Sequence, residues 1–257
     1  MVFRICVPMA KTSQKKNNKA PAKKGSPLRF FLLIIIPLIV FSLGFVPVII
    51  VAKIIFYFIS FNTLVGLILL PLIIGVELFL LLVSEVLISG ALIRIFNIGY
   101  EEGNYDYTMR NPQAFRWMLV CQLYTPMRKL LEIIPMGYVK LAYLRLLGMK
   151  IGKNCLVGGV IKDPCATEFG DNVTMGEYAV LYAHIHDYEK GTLTVKKVNI
   201  GSNCIIGAGS IIMPGVVMKD HSILGAGGLA TKNLVLDKNK VYGGNPAKEI
   251  SKKKAKK

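Results

Sequence analysis

Ile200-Gly201-Ser202-Asn203-Cys204-Ile205-Ile206-Gly207-Ala208-Gly209-Ser210-Ile211-Ile212 decides the fold. A bulky aliphatic returns every sixth residue, and glycine follows the first two. Working outward, the same count runs through Ile151, Val157, Asp163, Phe169, Met175 and Leu181, then through Thr194, Ile200, Ile206, Ile212, Met218, Leu224 and Ala230. Four places after these residues sit small or branched ones: Cys155, Ile161, Thr167, Val173, Ala179, Cys204, Ser210, Val216 and Ser222. One inward aliphatic per six residues marks a β-helix of hexapeptide repeats. Each short strand buries little alone, so the core exists only by stacking coil on coil. In this count the phase breaks once, at seven extra residues from Asp187 to Leu193. An insertion in a repeat array maps to a loop on one face, often the functional one. His184-Ile185-His186 stands immediately before it.

The remaining chain is unlike a soluble repeat protein. It is 53% hydrophobic yet carries a net charge of +17 over 257 residues. That pairing points to membrane segments with basic flanks. The basic excess lies at the two ends, beside an apolar block and without interleaved aromatics, which argues against nucleic acid as a partner. It is read as attraction to a membrane surface and as a topology signal. The five cysteines form no CxxC pair, so neither a zinc site nor a disulfide framework is implied. Cys155 and Cys204 fall at small inward positions of the repeat, which fits a reducing cytoplasmic location.

Five segments follow. Residues 1–28 are a Lys-rich tail, expected to be disordered and not a cleaved signal peptide. Residues 29–96 are expected to form a transmembrane helical hairpin, because each apolar stretch exceeds the ~20 residues that one crossing needs. A three-span alternative, broken at Lys53, would put either the basic tail or the repeat domain outside the cell. Two spans keep both termini cytoplasmic, as the positive-inside rule asks. Glu77 would lie within the bilayer, as a proton contact or as a protonated group bonded between helices. Glu85 and Arg94 are expected near the cytoplasmic interface. Residues 97–150 contain a polar connector, Glu101 to Asp106, and then short interfacial or capping helices. These start at Asn111-Pro112 and Thr125-Pro126, with Pro135 ending the second and Gly148 closing a third. Residues 151–250 are the repeat domain, and residues 251–257 are a second basic tail.

Three histidines narrow the search for chemistry. His186 opens the insertion, where a neutral imidazole would take a proton from an acceptor hydroxyl or amine. Asp187, Glu189 or a backbone carbonyl would hold its other nitrogen. His184 is a second candidate, and His221 lies on a remote coil face. Zinc is a weaker reading, because no His-x4-His spacing is present.

The hexads, the break after Leu181-Tyr182-Ala183-His184-Ile185-His186 and the closing Asn245-Pro246-Ala247-Lys248 turn resemble the hexapeptide-repeat acyltransferases, including galactoside and maltose acetyltransferases. The resemblance implies a left-handed parallel β-helix, a homotrimer and acetyl-CoA or another acyl-CoA as donor. It implies His186 as general base, and His184 and Glu189 remain candidates by their position beside it. It also implies contacts to the donor from Ala208, Gly209, Ala226, Thr231, Lys232, Asn245, Pro246 and Lys248. The order of membrane helices, Arg116-Trp117, Tyr143-Leu144-Arg145-Leu146-Leu147-Gly148, hexads and His186-Asp187-Tyr188-Glu189 further resembles membrane-embedded repeat regions at the ends of polylysine-type nonribosomal peptide synthetases. No adenylation or carrier domain fits in this chain. The expected activity is acyl transfer at a membrane, to a glycan, a lipid-linked molecule or another small acceptor. The alternatives are a non-catalytic trimeric membrane scaffold and a peptide-bond-forming domain fed by carrier-bound thioesters.

Overall fold

The computed structural model describes residues 26–134 and 136–250. Residues 1–25 (with Cys6), Pro135 and the tail 251–257 fall outside the described residues, while Pro27 and Leu28, expected in the first tail, open a helix.

The repeats wind into three parallel sheets. One sheet stacks Lys150–Ile151, Thr167–Phe169, Val198–Ile200, Val217–Met218 and Val235–Leu236. The second stacks Leu156–Val157, Thr174–Met175, Ile205–Ile206, Ile223–Leu224 and Val241–Gly243, with Lys248–Glu249 added antiparallel at its edge. The third stacks Val160–Ile161, Val180–Leu181, Ile211–Ile212 and Leu229–Ala230. In register, Phe169, Ile200, Met218 and Leu236 form one buried column. Val157, Met175, Ile206, Leu224 and Tyr242 form another, and Ile161, Leu181, Ile212 and Ala230 a third. This is the left-handed hexapeptide β-helix.

One corner of each coil needs a left-handed residue. Asn154 (φ 54°), Asn172 (56°), Asn203 (58°), His221 (59°) and Asn239 (60°) supply it. Asparagine tolerates this region because its short polar side chain bonds locally. Here the amides also bond each other, Asn154 Nδ2 to Asn172 Oδ1 at 3.3 Å and Asn172 Nδ2 to Asn203 Oδ1 at 3.2 Å. His221 is therefore a turn residue of this ladder.

The phase shifts a second time, where a strict count of six sees nothing. Ile161, not Asp163, pairs with Leu181 in the third column. The chain cuts the corner at Gly158-Gly159, where a Cβ on Gly159 would overlap the Ala179 carbonyl. It recovers the lost residues in a 3₁₀ turn at Pro164–Ala166. Asp163 is thereby lifted off the column. The insertion also differs from the expectation. It forms a hairpin, β2 (His184–Asp187) and β3 (Thr192–Val195), and Thr194 is not a core residue. Leu193 and Val195 are buried instead. Alternation in a strand leaves Thr194 on the other face, where its Oγ1 donates to Asn104 Oδ1 at 3.1 Å. The polar connector supplies the third strand, β1 (Gly103–Asp106), antiparallel to β3.

Two long helices precede this domain, α1 (Pro27–Phe58) and α2 (Leu64–Ile95). Each has 32 residues and is long and apolar enough to cross a membrane. At 1.5 Å per residue each is about 48 Å long, against ~30 Å of hydrocarbon. Their outward side chains are large apolar ones, such as Phe30, Ile34, Leu38, Leu67 and Phe79. Where they touch, Gly44 leaves room for the Glu85 carboxyl, and Ser84 Oγ donates to the Gly44 carbonyl at 2.6 Å. Glu85 is thus buried between the helices. The Glu77 carboxylate oxygens are shielded and have no hydrogen-bond partner, so the bonded group expected at Glu77 is absent among the described residues.

Two further helices, α3 (Pro112–Ile133) and α4 (Gly137–Leu146), lie between hairpin and coils. Asn111 Oδ1 caps α3 by accepting from Gln113 N and Ala114 N. Thr125-Pro126 does not start a new helix, and α3 runs through it. Both flanks of Pro126 pack, with Leu123, Tyr124 and Met127 buried, and this outweighs the local cost of proline. One side bonds the α1–α2 hairpin through Tyr143 Oη and Ser89 Oγ, 3.0 Å apart. The other bonds the first coil, with Tyr124 donating to Ile161 O at 2.7 Å and Lys140 Nζ to Gly159 O at 2.8 Å.

Two substitutions test this frame by chemical unfolding of the detergent-solubilised protein. Ile206→Ala empties part of a fully stacked column and is expected to cost ~2–5 kcal/mol. Asn203→Val forces a branched side chain into the left-handed corner and is expected to cost ~1–2 kcal/mol.

Candidate functional site

The displaced Asp163 and the base of the hairpin meet at one corner. Asp163 is fully buried. Its Oδ1 accepts from Tyr100 Oη at 2.7 Å and Trp117 Nε1 at 3.3 Å. Its Oδ2 accepts from Ala183 N at 2.8 Å. His184 Nδ1 completes the shell, 2.7 Å from Oδ2 and 2.8 Å from Oδ1. Burial by itself would raise the carboxyl's proton affinity, but the bonds from His184, Tyr100 and Ala183 hold it below the usual carboxylate value. Asp163 is therefore ionised, and an ionised carboxylate only accepts. Nδ1 of His184 must then carry the proton. In the neutral ring this leaves the Nε2 lone pair as acceptor. Burial and then the Asp163 charge push the Tyr100 hydroxyl well up, so it stays a donor.

Aromatic rings close around the two imidazoles. The Trp117 centroid is 4.9 Å from both His184 and His186. Tyr107 meets His186 edge-on at 4.6 Å, and Tyr188 stacks on it at 5.7 Å. The imidazoles are 5.4 Å apart. His186 Nδ1 is buried and has no hydrogen-bond partner. Burial, and then the neighbouring His184, lower the proton affinity of His186 below the ordinary histidine value. Its ring lines an open cleft of about 580 Å³, together with Asn104, Tyr188, Glu189, Thr194 and Lys232.

The residues singled out in the sequence are thus only partly gathered. His184 and His186 share β2, and Glu189 is exposed at the hairpin tip. Asp187, expected to steady His186, instead accepts from Lys190 N at 3.0 Å and shapes the turn. Thr231 and Lys232 follow the strand Leu229–Ala230, at the corner from which the hairpin leaves. Ala208, Gly209 and Ala226 lie at the opposite end of that sheet, in exposed turns stacked through Gly227 N to Ala208 O. Asn245-Pro246 is a cis peptide in the closing turn, and Lys248 is an exposed edge-strand residue. Asp163, Tyr100, Trp117 and Tyr107 were not singled out. The signal for Asp163 was a carboxylate at a position where the six-residue count demands an aliphatic. Among the described residues no three His, Cys, Asp or Glu side chains come together as a metal site needs.

No family model matches the chain. Gamma carbonic anhydrase 2, mitochondrial, of Arabidopsis thaliana is 31% identical over 86 residues, 34% of this chain and 26% of that protein. The putative acetyltransferase YvoF of Bacillus subtilis is 32% identical over 115 residues, 42% of this chain and 63% of the relative. Among solved structures, the hexapeptide-repeat-containing acetyltransferase VCA0836 of Vibrio cholerae, complexed with acetyl coenzyme A, covers 49% of this chain and 83% of its own. It is 19% identical with a TM-score of 0.42. The chain spans less than two thirds of the curated relatives' lengths. Its relatives and structural neighbours include hexapeptide-repeat acetyltransferases.

Two measurements probe this site. Asp163→Ala leaves the buried donors of Tyr100, Ala183 and His184 unanswered and is expected to cost ~3–5 kcal/mol of stability. Trp117 is the sole tryptophan, so its fluorescence reports the cluster. Its emission is expected to change on acidification with a midpoint below the ordinary histidine value, and His186→Ala is expected to abolish that step.

Proposed function

We propose that this protein is an acyltransferase, with acetyl-CoA or another acyl-CoA as donor, working at a membrane surface. The carrying observation is the Asp163–His184 pair at 2.7 Å. It fixes one tautomer and leaves Nε2 free to take a proton. In the reaction, Nε2 of His184 removes the proton of an acceptor hydroxyl or amine as that group attacks the thioester carbonyl. The buried Asp163 carboxylate stabilises the imidazolium that forms, and the same proton then leaves with the departing thiolate. The neutral His186 ring lines the cleft without adding charge. Lys232, which lines the same cleft, would meet a phosphate of the donor.

A second reading makes His186 the base. Its place on the open cleft and its lowered proton affinity favour it, as does the resemblance of the hexad it closes. The putative acetyltransferase among the relatives supports the reaction class in either case. The membrane reading is supported by α1 and α2, whose Arg29 end and Phe96 end line one recess. Both chain termini would then face the cytoplasm, a homotrimer would be the assembly, and a glycan or lipid-linked molecule would be the acceptor. A non-catalytic scaffold would use the Asp163 bonds only to join chain segments, and it predicts no turnover.

Acetyl-CoA turnover with a panel of hydroxyl and amine acceptors decides between them. His184→Ala is expected to lower kcat/KM by ~10²–10⁴-fold. Asp163→Asn is expected to lower it by a similar order, because an amide no longer fixes the tautomer. His186→Ala is expected to keep activity within about tenfold. The reverse pattern would transfer the role to His186, and no turnover with any acceptor would sink the assignment.

A further inference from the structure

Two adjoining recesses open where the helical hairpin meets α3. The first, about 350 Å³, is lined by Arg29, Arg116 and Asn97 with Leu32, Phe96 and Phe115. The second, about 230 Å³, shares Asn97 and Arg116 and adds Arg94, Glu101 and Tyr100. Arg29 is the third residue of α1 and Arg94 the last but one of α2, so both mark the same end of the hairpin. Arg29 is oriented by its bonds to Met109 O at 2.8 Å and Arg110 O at 2.7 Å, with its guanidinium over the Phe115 ring. Arg94 and Arg116 are exposed and have no hydrogen-bond or ion-pair partner among the described residues. One carboxylate, Glu101, stands on the rim. The two recesses share Arg116 and together present three guanidiniums against one carboxylate, and guanidinium matches phosphate geometry better than any other side chain. The apolar walls belong to the first recess, beside residues that face hydrocarbon.

We propose that these recesses hold the phosphate group of an anionic membrane lipid, with its first chain carbons on Leu32, Phe96 and Phe115. This rests on the reading of α1 and α2 as membrane spans. The site also touches the chemistry: Tyr100 lines the second recess, and its hydroxyl holds Asp163 from behind. Arg116 and Trp117 are consecutive on α3. One faces the lipid recess and the other lies against both imidazoles, so a lipid bound on this face settles the segment that frames the catalytic corner.

The test uses the full chain in nonionic detergent, titrated by calorimetry with dioctanoyl phosphatidic acid, dioctanoylglycerol and inorganic phosphate. Saturable binding of phosphatidic acid is expected, with at least about tenfold weaker binding of the other two. Arg94→Gln with Arg116→Gln is expected to weaken it by about tenfold or more, and Arg94→Lys with Arg116→Lys by less. The basic tails are the same in all variants, so the difference isolates the recess. Equal binding of inorganic phosphate would make the ligand a free anion and overturn the lipid. Equal binding of dioctanoylglycerol, or an unaffected Gln variant with an unchanged melting curve, would overturn the site. Alkaline carbonate extraction of membranes keeps the two failures apart. Release of the chain would remove the spanning reading, whereas retention without a phosphatidic acid preference would remove the lipid site alone.

Discussion

The carboxylate of Asp163 is the interaction on which the other parts converge. Four donors reach it, from the connector after α2, from α3, from the backbone at the end of a coil strand and from the inserted hairpin. A buried charge is tolerated only when such bonds replace its water. The same bonds therefore stabilise the charge and bind four separate pieces of chain to one point. The β1–β3 ladder and the Tyr124 bond to Ile161 O join the same pieces nearby, and the carboxylate is the one side chain that all four reach.

The corner is built by compensated irregularity. Gly158-Gly159 shortens one side of the first coil, and the turn at Pro164–Ala166 restores the count. The hydrophobic columns above and below are undisturbed, because Ile161 takes the core place. The first coil thereby spends its slack on one displaced acid, while the coils above keep an eighteen-residue spacing from Ile200 to Met218 to Leu236. The helices α3 and α4 cover the open end of this coil and bond upward to the hairpin through Ser89 and Tyr143. The two long apolar helices and the Asp163–His184 pair are thus one packed unit.

Much of the fold was legible because its physics is periodic. A six-residue count placed most of the buried columns, and unbroken apolar length placed α1 and α2. Where two periods overlap, the count misled. Thr194 obeys the period of six but sits in an alternating strand, so Leu193 and Val195 went inward. Asp163 obeys the count in number but not in space. Pro126 reads locally as a helix start, yet packing on both sides carries α3 through it. The site was half legible. His184 and His186 stood out by rarity and by the break beside them. Tyr100 and Trp117 lie 63 and 46 residues from their acceptor, a separation that no local pattern spans.

Amide hydrogen exchange of the full chain, with and without saturating acetyl-CoA, tests the central claim most directly. Donor binding at the proposed catalytic corner would slow exchange across β2 and β3, residues His184 to Val195, and in the turn at Thr231-Lys232. Protection confined to coils away from that hairpin, or none at a concentration that supports turnover, would contradict the account.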